Sequence, residues 1–234
     1  MANLRGFTLV AALVLSASLR AAPQVNASSI GTSNQPWTLV GTENGITIYK
    51  RDVSNSGIVA LKGQGRVDAP AWKVASVLLD TNRASEWVDS LKESRVVRHL
   101  TPNTYVEYNH LHLPLILKDR EFVSEVRIDL NSSDRSVTLE YRPTDESSVP
   151  SSGNVRGQIR SGAFRARSLG AGQGTELTAE IDCDPEGAIP AWVVNLFQKS
   201  WPRKTFEGVR KQVAKPDITM PAAFSELLRP VVNF

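Results

Sequence analysis

What most constrains this chain is the order of its patterns: a series of short alternating, β-branched segments comes first, and only then one long run of helical periodicity. Residues 94–100, 104–113, 120–130, 136–142, 155–168 and 175–182 follow one another with Asn, Pro, Gly, Asp or Ser clusters between them. Connections this short and polar join antiparallel neighbours, because parallel strands need crossovers of a dozen or more residues. After Pro185-Glu186-Gly187, residues 190–214 carry Val193, Val194, Leu196, Phe197, Trp201, Phe206, Val209 and Val213 on one broad helical face. Pro202 lies inside that run and predicts a kink or a break. A sheet of this kind must cover its concave face, and the last helix is the one element long enough to do so. The sequence therefore reads as an α+β domain, a curved antiparallel sheet wrapped around a long C-terminal helix.

The preceding segments fit the same plan. Residues 46–51 alternate, 52–57 are rich in turn formers, and 58–67 read as a further strand in which Gly63 and Gly65 weaken the strand or mark bulges. Asp68-Ala69-Pro70 reads as a helix start, with Asp68 as cap and proline in the first turn. Trp72, Val74, Ala75, Leu78 and Leu79 then recur at helical spacing, and 81–91 form a second short helical piece carrying Trp87. The segment 216–234 contains Pro216, Pro221 and Pro230 and is expected to lie along the surface or remain partly disordered, with a short helical piece around 224–228.

The amino terminus looks like an export signal. Arg5 precedes the apolar run 7–19, which is too short to span a bilayer comfortably, since spanning takes about 20 residues. Val25-Asn26-Ala27 offers small residues for cleavage, and no cysteine follows the run to take a lipid anchor. The expected organisation is a signal peptide (1–27), a flexible leader (28–36), one domain (37–215) and the tail (216–234), in a periplasmic or secreted protein. Beyond residue 27 the chain has 25 basic and 24 acidic residues, so nothing in its charge points to nucleic acid.

Catalytic and metal constellations are sparse. Cys183 is the single cysteine, which rules out an intrachain disulfide, and it reads as a small buried hydrophobe on a strand. His110 and His112 lie two apart and share a strand face, but no third metal ligand stands at a suitable spacing. Gly170-Ala171-Gly172-Gln173-Gly174 sits between strands and reads as a hairpin turn, not as a phosphate cradle. Asp182 and Asp184 read as caps of a strand-to-helix transition. No cofactor or metal is expected. Tyr105, Glu107, Asn109 and Leu111 alternate onto one face, as do Phe122, Ser124, Val126 and Ile128. A face mixing large apolar groups with one Glu and one Asn suits a pocket; a shift of register by one residue would turn it to solvent instead.

Several blocks together resemble the START (steroidogenic acute regulatory-related lipid-transfer) family of the helix-grip superfamily. They are Trp37-Thr38-Leu39-Val40 with Asn44-Gly45-Ile46-Thr47-Ile48-Tyr49-Lys50-Arg51, Val67-Asp68-Ala69-Pro70 with Leu78-Leu79-Asp80, Glu86-Trp87, Leu117-Lys118-Asp119-Arg120-Glu121-Phe122-Val123, and Asp184-Pro185-Glu186-Gly187 leading to Trp192-Val193-Val194-Asn195. The resemblance covers about residues 37–214. It implies a tunnel between sheet and helix for one lipid, carried by a monomer without chemistry, with transient contact at a membrane surface. Tyr105, Glu107, Asn109 and Val126 would face that tunnel, with Val193 and Phe197 contributing from the helix. Lys199, Arg203, Lys204, Arg210 and Lys211 would offer a basic surface to lipid headgroups. The alternative is a cyclase- or hydrolase-like enzyme of the same superfamily, acting through Glu107 or a histidine.

Overall fold

The computed structural model describes residues 35–113, 117–144, 149 and 152–233. The export signal and most of the leader lie outside the described residues. The strands are β1 (Thr38–Glu43), β2 (Ile46–Arg51), β3 (Ala60–Val67), β4 (Leu91–Thr101), β5 (Thr104–Leu111), β6 (Arg120–Asn131), β7 (Ser136–Pro143), β8 (Val155–Arg156), β9 (Gln158–Ser168) and β10 (Thr175–Asp184). They form a single sheet in the order β1-β2-β3-β10-β9-β7-β6-β5-β4, antiparallel throughout except for short β8, which pairs parallel to β6. Helix α1 (Ala71–Leu79) and a 3-10 turn (Thr81–Glu86) connect β3 to β4, which are the two strands the sheet order keeps far apart. Helix α1 begins after Pro70, and Asp68 does not cap it but binds Arg66 Nε at 2.7 Å.

The C-terminal helix is broken in two, α2 (Ala191–Gln198) and α3 (Trp201–Val213). Pro202 occupies the first turn of α3, where its missing N–H costs no hydrogen bond, and Lys199 and Ser200 separate α2 from α3. Phe206, Val209 and Val213 of α3 enter the main core beside Ile46, Val67, Val74 and Leu177. Gly63 and Gly65 do not mark bulges: β3 pairs regularly with both neighbours through them. They are the seat of α3, since a Cβ at Gly63 would lie 3.0 Å from the Phe206 ring and one at Gly65 3.1 Å from it.

The tail differs from its sequence reading. A 3-10 turn (Ala222–Phe224), helix α4 (Ser225–Leu228) and a further 3-10 turn (Arg229–Asn233) bring Ile218, Phe224, Leu228 and Val231 into the main core. The three prolines space these anchors and do not hold the segment at the surface. No helix among the described residues is long and apolar enough to cross a membrane.

Candidate functional site

Between the sheet and α2 the structure holds a cavity of about 260 Å³, just below the range typical of small-molecule pockets, about 300–1,000 Å³. Leu78 of α1, Ala84, Trp87 and Val88 form one wall, and Leu111, Leu113, Leu117 and Phe122 a second. Tyr141, Ile159, Gly162, Phe164, Ile181 and Cys183 make the floor on β7, β9 and β10; Val194, Phe197 and Gln198 of α2 and Trp201 of α3 close it. The lining is largely apolar, with Glu180 on β10, Gln198 on α2 and, on the neighbouring strands β5 and β6, Glu107, Asn109 and Arg120 as its charged and amide exceptions.

Strand geometry places these exceptions. Leu111 pairs with Arg120, Asn109 with Phe122, Glu107 with Ser124 and Tyr105 with Val126, so all eight side chains stand on the concave face. Glu107 is 6% exposed. Its Oε1 accepts hydrogen bonds from Ser94 Oγ at 2.9 Å and Asn109 Nδ2 at 3.1 Å. Burial raises its pKa; those two hydrogen bonds oppose the rise without cancelling it. Tyr141 is likewise pushed well above its ordinary value, first by burial and then by the charge of Glu107. Burial also raises the Cys183 thiol to about 12, which makes it a lining atom and not a nucleophile at neutral pH. Arg120 is 3% exposed and each nitrogen of its fork donates to a backbone carbonyl: Nε to Pro185 O at 2.9 Å, Nη2 to Glu186 O at 3.2 Å, and Nη1 to Lys118 O.

The residues expected to meet the ligand divide. Glu107, Asn109 and Phe197 line the cavity. Tyr105 and Val126 stand on the same face but beyond the cavity's end, in the closed core, where Phe224 of the tail packs on the Tyr105 ring at 5.3 Å between centroids. Val193 does not line the cavity; its neighbour Val194, the buried residue of α2, does. Leu78, Trp87, Ile181 and Trp201 were not anticipated as lining, although the helical spacing of Leu78 and Trp201 already placed them on inward faces.

No histidine lines the cavity. His110 Nε2 and His112 Nδ1 each meet Asp119 at 2.9 Å, and Lys92 Nζ meets the same carboxylate at 2.8 Å. These contacts, hydrogen bonds from Lys92 first, hold the Asp119 carboxyl far below the usual carboxylate range. Asp182 and Asp184 bind Arg160, at 2.8 Å and 3.0 Å, and Asp184 also accepts the Glu186 N–H at 2.9 Å. Of the basic residues on the closing helix, Arg203 pairs with Glu207 and Glu43, Lys204 with Asp89, and Arg210 donates to the carbonyls of Asn44 and Arg66. Three of the five expected surface cations therefore have partners within the fold.

A curved antiparallel sheet that closes on a C-terminal helix around an apolar cavity defines the helix-grip fold. The chain belongs to the START domain family, whose model matches residues 20–215. That family is one of lipid-binding and lipid-transfer domains. An uncharacterized protein of Pseudomonas aeruginosa is 24% identical over 185 residues, covering 77% of this chain and 88% of that one. Human STARD10 shares the fold with a TM-score of 0.70 at 21% identity, covering 84% of this chain and 80% of its own. The STAR-related lipid transfer protein of Xanthomonas axonopodis aligns with a TM-score of 0.65 at 22% identity, covering 76% of this chain and 99% of that fragment.

Proposed function

We propose that this protein binds one hydrophobic lipid in the cavity under α2 and carries it without chemical change, as a periplasmic or secreted monomer. The observation that carries this reading is the cavity itself: hollow space, walled by Trp, Phe, Leu, Ile and Val, beside a closing helix that is broken at its base. Each methylene moved from water into such a space gains about 0.8 kcal/mol. A short chain segment thus supplies enough affinity for carriage. Membership in a lipid-transfer family and the folds of the solved lipid-transfer proteins support the same reading. Helix α2 is the natural gate, since it contributes Val194, Phe197 and Gln198 to the cavity and is separated from α3 by the two-residue break.

The test is native mass spectrometry of the purified protein, followed by denaturing extraction and identification of the released lipid. One lipid per chain is expected; protein that comes empty from every preparation and takes up no lipid from mixed vesicles would reject the carrier reading. The raised pKa of buried Glu107 favours a second reading, acid–base chemistry on the bound lipid. Turnover that Glu107→Gln abolishes while binding persists would establish it.

A further inference from the structure

The row of concave side chains on β5 continues past the point where the cavity stops. Leu111, Asn109 and Glu107 line the cavity; Tyr105, the next residue on that face, stands in closed core, about 7 Å along the strand from Glu107. The Tyr105 ring is fully buried, and its hydroxyl has no hydrogen-bond partner among the described residues. Packing, not hydrogen bonding, fixes that ring. Two other rings press on it: His99, opposite it on β4, at 5.9 Å between centroids, and Phe224 at 5.3 Å. Phe224 is 2% exposed and belongs to the tail, beyond residue 215, where the match to the START model ends. We infer that Tyr105, backed by Phe224, is the length stop of the cavity, so that the tail restricts this protein to short single-chain or single-ring lipids.

Size and surroundings both place the stop there. A cavity of about 260 Å³ holds roughly nine groups the size of a water, about 30 Å³ each, which is one short chain or ring system and not two acyl chains. Beyond the stop the concave face stays apolar, because Val126 is the cross-strand partner of Tyr105 and buried Ile128 follows it on β6. A hydrocarbon chain would therefore meet a compatible surface if the ring gave way. Removing the Phe224 side chain leaves space that its neighbours fill only in part, and it gives the Tyr105 ring, restrained by no hydrogen bond, somewhere to turn. The stop thus depends on a residue that touches no part of the cavity lining itself.

The length stop rests on the carrier reading, and one experiment separates the two. Displacement of N-phenyl-1-naphthylamine from the purified protein is measured with a series of 1-alkanols from hexanol to tetradecanol, which share one polar end and differ only in length. Affinity is expected to rise about fourfold with each added methylene. It should level off near ten carbons, where the chain fills the cavity and meets Tyr105. In Phe224→Ala the levelling point should move out by roughly two to four carbons, the reach that 7 Å of strand allows, while hexanol and octanol bind as they do to the parent. Phe224→Leu, a gentler change that guards against misfolding of the alanine variant, should move it the same way by about one carbon. Affinity that climbs through tetradecanol in the parent, or a levelling point that stays put in both variants, overturns the length stop and leaves the carrier reading standing. Failure of the dye and every alkanol to bind overturns the carrier reading, and the length stop with it.

Discussion

The Arg120 guanidinium, at the first position of β6, donates to the carbonyl of Pro185, at the turn that leads from β10 into α2. The same fork reaches the carbonyls of Glu186 and Lys118, so one side chain on the cavity wall ties down both loops that border the gate. The turn it holds is an unusual one, with Glu186 at φ 55° and Gly187 at φ 80°. Arg120→Met would keep the packing of the stem and remove all three donors, at a cost of roughly 1.5–3 kcal/mol. Hydrogen exchange should quicken in 186–198 far more than in the central strands, and bound lipid should leave faster. Unchanged exchange in α2 would show that packing alone, without this arginine, holds the gate.

Gly208 of α3 lies so close to Trp87 that a Cβ would stand 2.2 Å from the Trp87 carbonyl oxygen. In a solvated helix Gly→Ala stabilises by roughly 0.5–1 kcal/mol. Here the sign should reverse. Gly208→Ala must push α3 away from the Trp87 turn, and overpacking of this sort costs roughly 1–3 kcal/mol. The urea midpoint should fall with the slope of the transition unchanged. Because Trp87 lines the cavity, lipid affinity should fall as well, whereas a midpoint that rises would contradict the close contact.

Strand parity made half of the site legible in the sequence. Alternation along β5 and β6 puts Glu107 and Asn109 on the concave face, and the structure agrees. Where the cavity stops was not legible, because the plug is Phe224, from a proline-bearing tail whose burial depends on long-range packing and not on local pattern. Alternation also fails on β9. Counting back from Phe164 and Gly162 would aim Arg160 into the cavity, but a bulge opposite Asp182 and Cys183 makes Ser161 and Ile159 the paired residues. The extra residue turns Ile159 inward and sends Arg160 out to Asp182 and Asp184. Nothing in the local residue pattern announces that bulge, although it decides whether the floor is apolar or charged.

Acid stability should depend on a buried group on the other face of the sheet from the cavity. Glu121 is fully buried and accepts hydrogen bonds from Ser152 Oγ at 2.6 Å, Tyr108 OH at 3.1 Å and Arg156 Nη2 at 3.0 Å. Burial pushes its pKa up, but the hydrogen bonds from Ser152 and Arg156 and the charge of Arg156 outweigh it and leave the carboxyl at about 2. A folded pKa below the unfolded value, about 4.3, means stabilisation that is complete above that value and is lost as pH falls toward 2. The linked contribution is on the order of 2–3 kcal/mol. Glu121→Gln should therefore unfold more readily at pH 7 and show a flatter stability profile between pH 5 and 2 than the parent. Parallel profiles for the two proteins would mean that Glu121 is not the linked group.

Helix α2 shows apolar residues on both sides. Val194 is buried on the inner side, while Trp192 is 70% and Leu196 62% exposed on the outer side. Phe197, at 45%, both lines the cavity and reaches solvent. Side chains of this size gain roughly 1.5–3 kcal/mol each on leaving water, so a bilayer surface that accepted Trp192 and Leu196 would hold the gate against the lipid source. Two of the cations nearby, Arg203 and Lys204, are paired with Glu207 and Asp89. Transfer of a fluorescent lipid between neutral vesicles should then slow severalfold, about tenfold at most, in a Trp192→Ser, Leu196→Ser double variant. Equilibrium affinity for a water-soluble probe such as dodecanol should stay the same, because neither side chain touches the cavity. The rate in the parent should change little when salt is raised from low to physiological strength, as attraction driven by burial is not screened. A strong salt dependence, or full transfer by the double variant, would move the docking surface away from α2 and onto a charged face of the sheet.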